Sequence, residues 1–468
     1  MGKINRRIRN ILAVLGILIL ITLGLLNSPW VQHKVALRVT HAIEEKVGTK
    51  VYLGNLSCRL PADILLDTLR IDDREGETLV SADKLAVKVD WWPLITKRHI
   101  SIRNIRLYNP AISVRTDSVG AEPNYKFFLD AFHSGAQVSI PPIQVNSIII
   151  RGARLKYDVL SEPETVGQFN PSHIDVNSLN THLSLKTLTS DSLSVFMRQL
   201  SLTEKSGFQL DNLLFRLVAN KQGAALVGFN LRMPQSEIRI DSLFADYASN
   251  SIRFRSIIPS SSIAVTDLSA FVPSWRNNSS VLSLSSSLKG DLDGRFDVNH
   301  LILRLNRRDV DILLQGRGDL RREYAGFLDG NLLRMNVTPS GWNAIEGLLG
   351  AIDDLGGTSL QPLCKEWGAR LGATSLTGVA SLQMSSSGLP ETIKADLSLH
   401  SDIGEADMKA SLKGENYVTA LNARSLALGH LIENKDLGNL TATLSAKGRA
   451  NLEAQKLLSA NVDRKSVV

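Results

Sequence analysis

The sequence predicts a mostly β protein: an N-terminal transmembrane helix followed by an elongated, curled antiparallel β-sheet that forms an open hydrophobic groove, with a few short helices. Three observations support this fold class. A basic opening precedes a long apolar run, apolar and polar residues alternate along many segments after residue 50, and helical spacing of apolar residues recurs at few places. Alternation with a period of two is typical of strands that have one apolar face.

The first element is a membrane anchor. Residues 1–10 are predicted to be a cytoplasmic tail and residues 11–31 a transmembrane segment, because about twenty apolar residues cross ~30 Å of hydrocarbon. Basic flanks stay in the cytoplasm, which places the rest of the chain on the other side. A cleaved signal peptide is the alternative, although Leu25–Pro29 offers no good pair of small residues, one residue apart, for a cleavage site. The topology determinants are Lys3, Arg6, Arg7 and Arg9; the transmembrane positions are Ile11, Leu15, Leu18, Leu20, Leu23 and Leu26.

An amphipathic juxtamembrane helix is predicted next, over residues 32–48. Ser28 can cap this helix, Pro29 fits its first turn and Gly48 suits its C-terminal end. Apolar residues follow one another at four-residue intervals and form one slowly winding stripe: Val31, Val35, Val39, Ile43 and Val47.

Strands follow, in a predicted β-groove over residues 49–339 that continues over 373–468. The alternating pattern is clear at Leu85, Val87 and Val89, and it shifts by one residue within 100–107, as a β-bulge requires. The predicted groove-lining positions are Leu85, Val87, Val89, Ile100, Ile102, Leu301, Leu303, Leu305, Ile393, Leu397, Leu399, Leu440 and Leu444.

Helical periods interrupt the strands at two places. Residues 124–132 can make one or two turns, and residues 340–372 contain two short segments with apolar residues at helical spacing. We interpret this helical insertion as a cover or plug on the sheet; a mobile gate is the alternative.

One-sided strands need a partner for their apolar faces. Two sheets can bury each other in a sandwich, or one long sheet can form a trough that holds an apolar guest. Few large aromatic residues (6% of the chain) and few helices favour the trough, and the sandwich stays open. Moving an acyl chain of about sixteen carbons into water costs on the order of 13 kcal/mol, so a continuous apolar trough lowers that cost along its whole length. About twenty-five strands reach ~120 Å.

Composition excludes several other classes of function. The net charge is +7, and four of these charges lie in the first ten residues, which leaves about +3 (7 − 4) for the rest. That excess is too small for a nucleic-acid surface. Cys58 and Cys364 are too few for a disulfide framework.

Motifs of enzymes and metal sites are missing from the sequence, so we expect no enzyme activity, no catalytic residue, no metal and no cofactor. The nine histidines lack the paired spacing of a metal site. Asp73, Glu75 and Glu77 alternate as in a calcium loop, but the required glycine and final glutamate are replaced by Thr78 and Lys84. A solvated hairpin turn is the expected structure.

Several segments resemble the AsmA-like proteins, and the chain is most similar to the TamB branch (the translocation and assembly module subunit) as found in Bacteroidetes. The resemblance covers nearly the whole chain and is most specific near the anchor. The similar segments are VGTKVYLGNL at 47–56, LDTLRIDD at 66–73, WWPLI at 91–95, HISIRNIRLYNP at 99–110, and the repeat-like 421–448.

The resemblance implies a cell-envelope protein in the inner membrane of a Gram-negative bacterium, single-pass, with its N-terminus in the cytoplasm and its bulk in the periplasm. It implies part of a conduit for phospholipid transport between inner and outer membranes, with acyl chains and the inner membrane as partners. The alternatives are an assembly factor for outer-membrane proteins of the autotransporter type and a passive β-sandwich scaffold. TamB proteins are longer and end in a domain that is missing here, so we expect a truncated chain; this puts contact with an outer-membrane assembly barrel in doubt.

Overall fold

The chain divides into two units in this computed structural model. Unit 1 comprises Met1–Thr189 and Leu193–Leu214, and unit 2 comprises Ser190–Ser192 and Phe215–Val468. The fold-class prediction is confirmed as a mostly β chain with a long antiparallel sheet and few helices. The structure describes residues 28–59, 63–90, 92, 96, 100–133, 143–188, 191–248, 251–321, 325–353, 361–385, 390–434, 436–451 and 456–466.

Unit 1 comprises two helices with described bounds, α1 and α2, and the first strands. Strand β12 runs through the boundary with unit 2. The elements are α1 Pro29–Val47, β1 Val51–Leu53, β2 Leu56–Arg59, β3 Asp63–Asp72, β4 Thr78–Asp90, β5 Ile100–Tyr108, β6 Ala111–Thr116, α2 Lys126–His133, β7 Ile143–Val145, β8 Ser147–Val159, β9 His173–Leu188, β10 Ser192–Glu204, β11 Gln209–Leu210 and β12 Asn212–Asn220.

Helix α1 ends as the sequence predicts. Gly48 has a left-handed φ of 75°, and its N–H donates to the Glu44 carbonyl at 2.7 Å; glycine adopts this conformation without steric cost. Ser28 stands at the N-cap without a side-chain capping hydrogen bond. Only the C-terminal half of the predicted stripe is covered: Val47 is buried with Leu79 and Phe127, whereas Val35 and Val39 are exposed.

The localisation prediction is wrong. Among the residues that the structure describes, no helix is both long enough and apolar enough to span a membrane, which contradicts a single-pass inner-membrane protein. The physical reason is visible in α1, the longest described helix at 19 residues, because five of its side chains carry charges: Lys34, Arg38, Glu44, Glu45 and Lys46. The predicted tail and all six predicted transmembrane positions, with their four topology determinants, lie outside the described residues; of 11–31, only 28–31 are described.

The sheet of unit 1 contains the predicted bulge. Strand β4 pairs with β5 in antiparallel register, with Val87 opposite Ile105 and Val89 opposite Ile102. Lys88 lies opposite Asn104, so Arg103 is the extra residue of a bulge on β5. The bulge keeps Ile102 and Ile105 on the same face of the sheet.

The sheet is mostly antiparallel, as predicted, and unit 1 contains the parallel pairs. Strand β8 runs parallel to β5 and β6, with Ile105 opposite Ile148 and Ile112 opposite Leu155. Parallel neighbours need a long crossover connection, and residues 117–142, which include α2, supply one. Because α2 lies in this crossover, its Phe127 reaches Leu79 of β4.

Unit 2 is a meander in which every described strand pairs antiparallel with the next strand along the chain. In the described part of unit 2, two short 3₁₀ segments, Val265–Leu268 and Pro273–Trp275, and three helices interrupt the strands. The elements are β13 Gly223–Arg232, β14 Glu237–Asp246, β15 Arg253–Ala264, β16 Val281–Asp291, β17 Arg295–Leu305, β18 Val310–Asp319, β19 Phe327–Val337, α3 Pro339–Asp353, α4 Gln361–Leu371, β20 Thr374–Met384, β21 Pro390–Ser401, β22 Gly404–Lys413, β23 Asn416–Ala427, α5 Leu428–Leu431, β24 Asn439–Asn451 and β25 Lys456–Ser466.

The helices of residues 339–371 cover one end of the strands. Helix α3 places Trp342, Ile345 and Leu348 against a buried cluster of Leu305, Val310 and Val337. The Trp342 indole Nε1–H donates to the Gly372 carbonyl at 2.9 Å, which joins the start of α3 to the end of α4. This small cluster is sealed from solvent, since Leu305, Val310 and Val337 are each 2% exposed.

Candidate functional site

The apolar face of unit 2 is built by matched registers of successive strands. Leu301 of β17 lies opposite Leu314 of β18, and Leu314 lies opposite Leu332 of β19. Because side chains alternate along a strand, partners at the same level point to the same face. The row continues through five further strands at Gly378, Leu397, Met408, Leu421 and Leu444. We call these eight residues the aliphatic row; no polar side chain interrupts it.

A second level of the same face carries small residues. Val298 lies opposite Gly316, and the level continues through Gly330, Ala380, Ala395 and Ala410. A cavity of about 710 Å³ is lined by the first five of these residues and by their neighbours along each strand, which include Arg317, Asp329, Lys394 and Asp396. The lining of this cavity thus combines the small residues of this level with polar and charged residues from the neighbouring positions of the same strands.

The opposite face of the sheet is polar and carries cross-strand ion pairs. Asp311, which is only 5% exposed, accepts from Arg304 at 3.1 Å and lies 3.0 Å from Arg334 Nε. Arg304 directly follows Leu303 in β17, and Asp311 directly precedes Ile312 in β18. Leu303 and Ile312 lie on the apolar face, so the alternation of side chains places Arg304 and Asp311 on the other face. Further pairs on this face are Arg317–Asp329, Lys409–Asp396 and Arg424–Asp407.

Unit 1 contains equivalent rows. Leu85 lies opposite Leu66 and Leu107, and Leu107 lies opposite Ile150. One level further along, Val87 lies opposite Ile64 and Ile105. The bulge in β5 and the crossover to β8 do not break these rows, so the apolar face is continuous from β3 to β8 within this unit.

The predicted groove-lining residues are mostly neither buried nor exposed. Leu305 is the exception, since it is 2% exposed and belongs to the cluster under α3. The Ile100 side chain lies outside the described residues. The others are half-buried: Leu85, Val87, Val89, Ile102, Leu301, Leu303, Ile393, Leu397, Leu399, Leu440 and Leu444. A sheet sealed by a second layer buries such aliphatic residues almost completely, which these positions do not show.

Asp73 shows why the calcium-like spacing of residues 73–77 is a turn. The Asp73 carboxylate accepts from the backbone N–H groups of Glu75 at 3.0 Å and Glu77 at 2.9 Å, and it pairs with Arg115 at 2.9 Å. The hairpin prediction is therefore correct. The expectation of a solvated turn is wrong for Asp73, because its side chain is 2% exposed and its charge is matched by Arg115.

One group of side chains could hold a metal, and the sequence reasoning missed it. Among the described residues, Asp158, Glu164 and His173 bring carboxylate and imidazole atoms within 4.8 Å of one another. Separations of six and nine residues across a loop match no metal-binding motif, so no local signal in the sequence points to this group.

Comparison with known proteins adds no assignment to this geometry. No family model, no curated protein and no solved structure matches the chain.

Proposed function

We propose that this protein binds the acyl chains of lipids on its apolar face and lets them move across the strands, as part of a hydrophobic conduit. The observation that carries the proposal is the half-burial of large aliphatic side chains along continuous rows. Apolar surface that the protein does not cover itself gains on the order of 25 cal/mol for each Å² that a guest removes from water. An acyl chain is a guest of this kind.

The aliphatic row has the dimensions of a path for such a guest. From Leu301 to Leu444 it crosses seven strand intervals, or roughly 34 Å at ~4.8 Å per interval. Every position of the row except Gly378 is Leu or Met, so the row offers aliphatic contact along its length without a polar group that would hold the guest at one place. A lipid can then shift by one strand without losing the apolar contact that keeps it out of water.

The charged face supports the same proposal. Cross-strand ion pairs such as Arg317–Asp329 keep the other side of the sheet soluble while the apolar side stays available. The resemblance to AsmA-like proteins, which stays a prediction, also favours lipid as the guest.

Two adjacent leucines of β18 provide a matched test. Leu314 belongs to the aliphatic row, and Leu313 points to the opposite face. A photoreactive amino acid is introduced at each position in the full chain, the cells are irradiated, and the adducts are identified by mass spectrometry. We expect lipid adducts at position 314 and few or none at 313.

The outcome decides between the candidate guests. Equal labelling at both positions, or no lipid at 314, refutes the conduit. Polypeptide adducts at 314 in place of lipid would instead support the assembly factor. As a second readout, Leu314→Glu should lower the amount of co-purified phospholipid, whereas Leu313→Glu should leave it unchanged.

A further inference from the structure

A second cavity of unit 2, of about 830 Å³, is lined by side chains from three neighbouring strands. Phe244 of β14 lies opposite Arg255 of β15, and Arg255 lies opposite Lys289 of β16. Lys289 directly follows Leu288, which lies opposite Val298 of the apolar face. The alternation of side chains therefore places Phe244, Arg255 and Lys289 on the polar face of the sheet, away from the aliphatic row.

Arg255 and Lys289 form a like-charged pair. Like charges directly opposite each other on two strands destabilise a sheet. Across the described residues of β13 to β25, every other register pair of two Lys, Arg, Asp or Glu side chains joins opposite charges. Lys289 follows that rule on its other side, where it lies opposite Asp297 and pairs with its carboxylate at 3.2 Å. Neither register partner of Arg255 is an acid, so the sheet leaves the charge of Arg255 unmatched.

Phe244 positions the Arg255 guanidinium. The guanidinium carbon lies 5.0 Å from the centre of the Phe244 ring, which is within the range of a cation–π interaction. This contact limits the motion of the guanidinium and leaves N–H donors for an acceptor. The Cβ atoms of directly opposite residues are about 4.5–5.5 Å apart, so the long side chains of Arg255 and Lys289 can reach the same anion.

We propose that Arg255 and Lys289 bind a phosphate group in this cavity, at a site that is separate from the lipid path. The charged residues of the lining are Arg253, Arg255, Lys289 and Asp246, with a net charge of +2 (3 − 1). Asp246 pairs with Arg253 at 2.6 Å, so Arg255 and Lys289 carry the excess. A phosphate monoester has a charge of about −1.5 to −2 at pH 7, and an arginine can donate two parallel hydrogen bonds to it.

The remaining lining of the cavity is partly apolar. Val218 and Phe244 are 42% and 37% exposed, and Ala224 and Ala225 lie beside them in the lining. These side chains can contact carbon atoms attached to the phosphate. A phospholipid head group and a free phosphate ion share the same chemistry at Arg255 and Lys289, but only the phospholipid also uses the apolar lining.

The test is isothermal titration calorimetry of the full chain with two probes, inorganic phosphate and the short-chain lipid dihexanoyl phosphatidic acid. We expect one phosphate site per chain, and Arg255→Gln should weaken it about tenfold or more because a charge-assisted hydrogen-bonding partner is lost. Only binding that depends on Arg255 is assigned to the cavity, since acyl chains can also bind the aliphatic row. If this binding is tighter for phosphatidic acid, the ligand is a lipid head group; equal affinities identify free phosphate.

Arg424→Gln is the matched control. Arg424 lies on the same polar face, but it pairs with Glu405 at 3.3 Å and Asp407 at 3.4 Å and does not line the cavity. Its substitution removes the same charge and should leave the affinity for phosphate unchanged. Arg255 and Arg424 are both exposed, so neither variant should impair folding, which circular dichroism checks. The proposal is overturned if neither probe binds at a single site, if both variants weaken binding equally, or if Arg255→Gln binds as tightly as the parent protein.

Discussion

The contrast between sealed and half-buried leucines gives a quantitative prediction. Leu305 lies under α3 at 2% exposure, whereas Leu328 of β19 lies on the same apolar face of the sheet at 39% exposure. Leu→Ala removes three carbons, which is worth ~2.4 kcal/mol at ~0.8 kcal/mol per carbon when the side chain is fully buried. At Leu305 the cavity left under the helix raises the cost to about 3–4 kcal/mol.

At Leu328 the same substitution should cost about 1.5 kcal/mol, because only about three fifths of the residue is removed from water and no closed cavity forms. Hydrogen exchange followed by mass spectrometry on peptides from β17 to β19 measures the free energy of local opening in both variants. A difference of about 2 kcal/mol is expected. Equal losses would show that α3 does not seal its cluster, and they would refute the distinction between covered and open parts of the apolar face.

Three further predictions test other parts of the chain. Hydrogen bonds from Arg321 lower the pKa of Asp319 to about 2. The stability that this carboxylate gives is therefore complete above its unfolded pKa of about 4 and is lost as the pH falls towards 2. In urea unfolding from pH 2 to 6, the difference in free energy of unfolding between the parent protein and Asp319→Asn should vanish at the acidic end. Gly330→Ala should leave the stability measured by thermal unfolding nearly unchanged, since a Cβ there meets nothing nearer than 3.9 Å. Gly318→Ala should destabilise the protein by about 1–3 kcal/mol, because its Cβ would lie 2.7 Å from the Phe296 ring. Gly48→Ala should cost about 1 kcal/mol because φ is +75°, and Gly48→Asn less, as measured by the same unfolding assay.

Local periodicity explains what could be predicted. The alternation at Leu85, Val87 and Val89 depends only on the two-residue repeat of a strand, so β4 and its apolar face followed directly from the sequence. The extra residue between Ile102 and Ile105 changed the phase of that repeat, and the bulge followed in the same way. Gly48 ended α1 where predicted because left-handed backbone favours glycine.

Features that depend on distant partners were missed. The parallel pairing of β8 with β5 depends on which strand the chain returns to after the crossover. The alternation of apolar and polar residues cannot show this, because it is the same in parallel and antiparallel strands. Leu305 has the same sequence pattern as Leu301 and Leu303, and only the packing of α3 makes it a sealed residue. His173 and Asp158 meet because β8 and β9 are in register, which no spacing along the chain reveals.

The meander of unit 2 affects how its strands can pair during synthesis and how the sheet can change in length during evolution. Each strand finds its hydrogen-bonding neighbour in the segment synthesised just before it, so pairing can proceed in order of synthesis with little loss of chain entropy at each step. Removal or duplication of one complete hairpin would leave the remaining registers intact. A lineage could therefore change the span of this sheet by whole hairpins, without redesigning any other contact.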